Sequence, residues 1–444
     1  MRTTLGIILI TVSGFFGFSQ EPAASYTLEE AIAFALQNNY SVINAERDLT
    51  DAQKQKWEVI ASGLPQISGN ISYNNQLKQP LTQIPSEFFG GTPGTFQEVV
   101  FREAQQTTAT ATLNQQIFDG SYIVGVQATK SFIRFSENNK EKTDLEIKKA
   151  VVEAYGNVLL SQESIAIVER NKATVETNLY ESQKLFENGL AEEERVEQLQ
   201  ITLANIESQL KNTIRLKNTT LQLLNLTMGL DIDNPTVLSE NLDDLTQKKI
   251  NLGILETDFK IENNIDFKQV TNLNEQRFYE LKLAKSRALP TLNAFVNYGA
   301  TAFSDQFNFL NGNQEWFESS VLGFDLNIPL FSSLRRSAST QRAKIAFEKA
   351  KTQLLETEQQ IRLGLERAQG NYQFSIEQYN TAKANLSLAE RIENKNQIKY
   401  TEGLASSFEL RQAQLQLYAA QDEYLRSMVS VINAKTELEN IMNN

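Results

Sequence analysis

The chain is written twice, and few folds tolerate that. Residues 26–65 align with 251–290 at a constant offset of 225: Phe34 falls on Phe259, Asn38-Asn39 on Asn263-Asn264, and Leu64-Pro65 on Leu289-Pro290. Tyr73 and Tyr298 keep the same register. By Leu113-Asn114 and Leu326-Asn327 the offset has fallen to 213, so the first copy carries about twelve extra residues in between. A third anchor, Asn188-Gly189-Leu190-Ala191 against Glu402-Gly403-Leu404-Ala405, lies at offset 214. Anchors in one order along both halves mean one elongated unit used twice, a repetitive architecture rather than a pocket enzyme.

The chain opens with Arg2, an apolar run from Leu5 to Phe18 and the small residues Gly17 and Ser19. This reads as a secretory signal peptide over 1–19, its apolar run too short to cross a bilayer as a helix. No later stretch approaches 18 continuous apolar residues, so no transmembrane helix is expected in the mature chain. Cysteine is absent, which excludes a disulfide scaffold and an N-terminal cysteine lipid anchor. Removing Arg2 with the signal peptide leaves 41 basic against 54 acidic residues, a poor balance for nucleic acid. Histidine is absent too, so most zinc and copper sites, cysteine nucleophiles and histidine acid–base chemistry are excluded. No paired acids stand in a cleft-like context. The expectation is no enzyme, no cofactor and no metal.

The eight prolines all avoid residues 121–187 and 333–443, stretches rich in Ala, Leu, Glu, Gln and Lys. In the second stretch apolar residues step by three and four from Ala343, Phe347, Ala350 and Leu354 through Ile361, Leu365, Ala368 and Tyr372. They continue through Ile376, Tyr379, Ala382, Leu386 and Ala389, a coiled-coil-like seam whose one gap is filled by Glu358. Gly189 and Gly403 break these runs where a helix would end and reverse. The expected elements are long helices 121–187 and 333–401, each roughly 100 Å at 1.5 Å per residue. Return helices 190–229 and 404–443 are too short to cover them, and the segments before each Leu-Pro, 27–61 and about 255–287, supply the remainder. The first repeat spans 20–230 and the second 255–444, with 231–254 a linker.

Between Leu-Pro and the long helix the period changes from 3.6 to 2, giving strand pairs within 66–118 and 291–330. Ile67, Gly69, Ile71 and Tyr73 alternate with Ser68, Asn70 and Ser72, while Leu322, Phe324, Leu326, Ile328 and Leu330 alternate with Gly323, Asp325 and Asn327. Alternation over about ten residues, with aromatic residues near the strand ends, is the pattern of membrane β-strands. Four strands have two unpaired edges that lipid does not accept, and closed membrane barrels need at least eight. Several chains must therefore pool their strands. The fold class is mainly α with a β-barrel portion: duplicated antiparallel helical hairpins plus four membrane strands per chain.

This order of helix, Leu-Pro, strand pair, long helix, Gly-Leu turn and return helix, given twice, resembles the TolC-like outer-membrane efflux proteins over essentially the whole mature chain. The resemblance implies a homotrimer with a 12-stranded barrel in the outer membrane of a Gram-negative bacterium and a helical tunnel in the periplasm. It implies a passive exit duct of a tripartite efflux or type I secretion system, with a periplasmic adaptor protein and an inner-membrane pump or ABC transporter as partners. Its adaptor-docking turns fall on Asn188-Gly189-Leu190 and Glu402-Gly403-Leu404, where the family's Val-Gly-Leu-like motif keeps its glycine and leucine but not its valine. Its periplasmic gate, two acidic positions six and nine residues after the second turn glycine, falls on Glu409 and Gln412. The equivalent first-copy positions hold Arg195 and Gln198, and Arg195 has Glu409 and Glu197 as candidate partners. Glu192-Glu193-Glu194 reads as an exposed acidic tip. The competing reading is a secreted trimeric coiled-coil fibre or surface adhesin, which explains heptads and export but not two strand pairs about 215 residues apart.

Overall fold

The computed structural model describes residues 25–443, so the expected signal peptide lies outside the described residues. In chain order the first half runs β1 (Ser25–Tyr26), α1 (Leu28–Asn38), α2 (Tyr40–Ala61), β2 (Gln66–Asn75), β3 (Thr82–Pro85), β4 (Phe96–Val99), β5 (Gln105–Asp119), α3 (Gly120–Glu187) and α4 (Glu193–Met228). The rest is β6 (Val237–Leu238), α5 (Leu242–Lys249), α6 (Ile265–Ser286), β7 (Thr291–Ser304), β8 (Phe317–Asn327), α7 (Arg335–Thr401) and α8 (Ser407–Met442). The long helices α3 and α7 hold 68 and 67 residues, roughly 100 Å each. Against α3 pack α2 and α4, and against α7 pack α6 and α8.

The segment expected as one helix over 27–61 is two, and the repeated asparagine breaks it. Asn39 is extended, and its Oδ1 accepts from the Ser41 N–H at 2.7 Å, capping α2. Its Nδ2 donates to the Thr227 carbonyl at 2.7 Å, in the last turn of α4. Asn264 repeats this at the start of α6, donating to the Ile441 carbonyl at 2.8 Å near the end of α8. One side chain thus caps one helix and satisfies an open carbonyl of the next, joining two shorter helices into a pseudo-continuous partner for the long one. Gly229 turns α4 at φ +82°, with Asn38 so close that a Cβ would lie 2.2 Å from its carbonyl oxygen.

The main core is a waist where both halves meet. Val151, Val152, Val158 and Leu159 of α3 pack with Leu224 and Met228 of α4, Ala368 and Ile376 of α7, and Val429 and Ile432 of α8. Two fully buried tyrosines pin the surrounding chain: Tyr155 donates to the Tyr26 carbonyl at 3.0 Å, and Tyr372 donates to the Lys249 carbonyl at 2.7 Å. Residues 231–254 carry α5, whose Leu242 and Leu245 join this core, and β6 pairs in parallel with β1. The Glu240 carboxylate accepts from the Leu28 N–H at 2.8 Å, capping α1 from outside the helix.

The strand pairs join into one antiparallel sheet, ordered β2-β5-β7-β8. A single chain leaves β2 and β8 as open edges. The first hairpin loop, which holds the extra residues, folds into its own two-stranded sheet, β3 against β4, with Thr82 opposite Val99. No helix among the described residues is long and apolar enough to cross a membrane.

Candidate channel wall and closing tip

Residues directly opposite one another in an antiparallel sheet point to the same face, so the register sorts the wall. One face carries Ile67, Gly69 and Ile71 of β2, Ala109, Ala111 and Leu113 of β5, Ala294, Val296 and Tyr298 of β7, and Leu322, Phe324 and Leu326 of β8. Many of its larger side chains are exposed in the single chain, Ile67 and Ile71 most of all. The opposite face carries Ser68, Asn70, Ser72, Thr108, Thr110, Thr112, Asn114, Asn293, Asn297 and Thr301. The Thr108 and Thr301 hydroxyls lie 3.3 Å apart on it. One apolar and one hydroxyl- and amide-rich face fit lipid outside and water inside. On the apolar side, Tyr73 meets Phe307 and Phe309 edge to face, with centroids at 5.4 and 5.9 Å.

At the far end the long helices close in two glycine turns. Gly189 and Gly403 both take φ +72°, and the next residues reach back: Leu190 N–H to the Leu185 carbonyl at 2.8 Å, and Leu404 N–H to the Lys399 carbonyl at 2.7 Å. A leucine in this position commonly packs onto the helix it ends. Here Leu190 and Leu404 are 74% and 79% exposed, so the turns present apolar side chains to the outside. Asn188 and Glu402 are the helix C-caps beside them.

Behind these turns the two hairpins touch through polar groups. Arg195, in the first turn of α4, donates its Nε–H to the Tyr400 hydroxyl at 2.5 Å and to Ser182 Oγ at 3.2 Å. Its guanidinium carbon lies 3.9 Å from the Tyr400 ring centroid, a cation–π contact. Ser182 and Tyr400 hydroxyls are 3.0 Å apart, and both residues are buried. Further back along the same helices Asn178 and Gln397 exchange two amide hydrogen bonds, at 3.0 and 2.6 Å. Further still, Asn171 donates to Gln421 at 2.9 Å.

The four candidate gate residues do not form one cluster. Among the described residues Arg195 makes no ion pair, so the candidate pairing with Glu409 or Glu197 gives way to Tyr400 and Ser182. Glu409 is engaged locally, in a capping box: Ser406 N–H donates to its Oε2 at 2.8 Å, while Glu409 N–H donates to Ser406 Oγ at 3.3 Å. Those hydrogen bonds from Ser406 hold its carboxyl below the usual range, and its side chain is exposed. Gln198 and Gln412 face a groove between α4 and α8 together with Phe408, Arg411 and Tyr418. Beside it, burial raises the Glu393 carboxyl, and the buried Gln414 amide nitrogen near it lacks a hydrogen bond of normal geometry. Burial, with Glu393 nearby, pushes the Tyr418 hydroxyl up to about 12. Sequence reasoning missed Tyr400 and Ser182. Tyr400 was within reach, because the three-and-four step continues past Ala389 through Glu393 and Gln397 to Tyr400.

The sequence model of the family described as outer membrane efflux protein matches residues 31–229 and 260–444. The chain belongs to that family. No curated protein matches it significantly. Among solved structures it is similar to the outer membrane protein VceC of Vibrio cholerae, at 17% identity and a TM-score of 0.71, covering 94% of this chain and 96% of that one. The outer membrane channel CmeC of Campylobacter jejuni gives 17% identity and 0.72, covering 99% and 94%. CusC, whose structures describe transmembrane channel formation, gives 15% and 0.74, covering 96% and 95%. The mainly helical fold with its joined strand pairs is the fold of these channels. This protein is an outer-membrane efflux channel of Gram-negative type, in a family of channels and not of enzymes. That membership removes the fibre or adhesin reading, which leaves the apolar sheet face without a role.

Proposed function

We propose that the channel is a passive exit duct, formed by three chains and closed at rest by the contacts between its two hairpins at the periplasmic tip. The carrying observation is the four-stranded sheet with one exposed apolar face and two open edges, set at one end of helices roughly 100 Å long. Three copies would pool twelve strands into a barrel wide enough to keep a water-filled lumen. A periplasmic adaptor would dock on the exposed Leu190 and Leu404 turns, and an inner-membrane pump or ABC transporter would supply directionality. The family resemblance supports that tripartite arrangement, in efflux or type I secretion.

The gate reading rests on the clasp of Arg195, Tyr400 and Ser182. It ties α4 and α3 of the first hairpin to α7 of the second, so separating the hairpins must break it. Glu409 and Gln412, with Gln198, belong in this proposal to the lining exposed once the tip opens, where three Glu409 carboxylates would favour cations. Single-channel recording in planar bilayers tests it. Arg195→Ala is expected to raise the frequency of the high-conductance state by roughly ten-fold or more, since a desolvated cation–π contact contributes about 2 kcal/mol. Conductance identical to the parent channel would remove the clasp from the gate. Leu190→Asp with Leu404→Asp is expected to abolish export in cells while leaving bilayer conductance intact.

A further inference from the structure

The two repeats do not line the lumen alike. On the face opposite the lipid-facing residues, the strands of the first repeat present only hydroxyls and amides from Gln66 to Asn74 and from Gln106 to Gln116, for example Ser72 with Thr108 and Asn70 with Thr110. The strands of the second repeat interrupt that chemistry. Phe303 lies opposite Gln106, Phe317 opposite Thr301, Val321 opposite Asn297, and Phe295 opposite both Asn114 and Gly323. Because Thr108 and Thr301 touch through their hydroxyls, this register fixes the phenylalanines on the polar face. Phe303 and Phe317 rings meet at 6.1 Å. Phe295 lies across Gly323, where an added Cβ would fall 2.3 Å from its ring. Phe317 and Val321 are both 53% exposed, so the stripe is open to the interior. From Phe303 to Phe295 it runs eight residues, roughly 27 Å along the strand, which at the usual 35–45° tilt covers about 20 Å of a membrane barrel's apolar band of about 25 Å. Charge on this face is confined to the helix end of the sheet, with Asp119 opposite Thr291 and Asp325 opposite Asn293.

We infer that this stripe is a binding path for neutral amphipathic solutes bearing an aromatic ring, the ring sliding on Phe295, Phe317 and Phe303 while polar groups bond to neighbouring amides and hydroxyls. The inference rests on the conduit reading, which sets this face toward the lumen; three copies would alternate three apolar stripes with three polar sectors. Along the stripe this face carries no charge, which selects against ions as preferred cargo, and rings stacked on rings give sequential weak sites, which permits release. The stripe is absent from the first repeat, so it is not a requirement of strand pairing.

Current interruption in planar bilayers tests this, with chloramphenicol as the neutral aromatic probe and raffinose as the neutral polar control, each added on the outer side. Parent channels should show chloramphenicol-dependent interruptions and no comparable effect of raffinose. Phe295→Ser with Phe317→Ser should weaken the block by roughly ten-fold, two ring contacts at about 0.5–1.5 kcal/mol each, with ionic conductance kept. Phe295→Leu with Phe317→Leu guards against misfolding of the serine variant and should weaken the block by a smaller factor. Equal block by both probes, or unchanged chloramphenicol block in a leucine or serine variant that conducts ions normally, would overturn the stripe and leave the conduit standing. An assembled oligomer that passes no ions even with Arg195→Ala would overturn the conduit and the stripe with it.

Discussion

The same pair of long helices is held in two chemically opposite ways. At the waist, α3 and α7 meet the rest of the molecule through Val151, Val152, Val158, Leu159 and Ile376, with Tyr155 and Tyr372 pinning the surrounding chain. At the tip, α3 and α7 meet through Asn178, Gln397, Ser182 and Tyr400, with Arg195 laid over the ring. Separating an apolar interface exposes surface at about 25 cal/mol per Å². Separating a polar one exchanges protein partners for water at a net cost near 1 kcal/mol per hydrogen bond. One pair of helices can therefore hold fast in its middle and part at its end. The seam within the first hairpin, through Val168, Val175, Leu199 and Ile206, stays apolar down toward the tip, so that hairpin would move as a unit.

The largest effect should come from breaking the waist. Tyr372→Ala removes a fully buried ring together with the bonds to Lys249 and Asn251, and is expected to cost about 3–5 kcal/mol. Loss of the heat-resistant oligomer on semi-denaturing gels would report it, with Tyr372→Phe losing far less. Making the tip resemble the waist should act in the opposite direction. Asn178→Leu with Gln397→Leu replaces a part-buried amide pair by apolar contact, and should suppress opening several-fold in the Arg195→Ala background. If the double leucine variant instead opens more often, polar character is not what makes this end separable.

Smaller effects separate the carboxylates. Glu409→Gln keeps an acceptor for the Ser406 cap and removes the charge, so it should reduce cation selectivity in reversal-potential measurements without raising open frequency. Glu409→Ala should do both, because the capping box is lost. Glu393 gives the smallest change and a definite sign. Its folded-state carboxyl is raised by burial, so its contribution to stability is full below the unfolded carboxylate value and is lost as pH rises through the folded one. Glu393→Gln should flatten that dependence and modestly slow amide exchange at the α7–α8 tip near neutral pH.

Much of this was legible in the sequence because duplication turns weak signals into paired ones. The glycine turns, the helix lengths and the strand alternation each occur twice at fixed offsets, and each rests on local chemistry: φ near +72°, helix propensity, period two. Asn39 and Asn264 were visible as a repeated anchor, but their work is done on Thr227 and Ile441, carbonyls nearly two hundred residues away, which no local pattern reveals. The clasp was hidden for a similar reason. Arg195 is surrounded in sequence by glutamates, so an acidic partner was the natural expectation. Folding instead sets it on Tyr400, across the join between hairpins. The β3–β4 hairpin escaped notice because four-residue strands carry too little periodicity.

Cross-linking across the tip tests the central claim most directly, and a chain without cysteine is well suited to it. Asn178→Cys and Gln397→Cys, introduced together into the Arg195→Ala channel, would be bridged by a short bis-thiosulfonate reagent and recorded in planar bilayers. If the hairpins part at the tip, the bridge should abolish the high-conductance state and a reductant should restore it. Undiminished opening with the bridge in place would contradict a gate formed between the hairpins at this end.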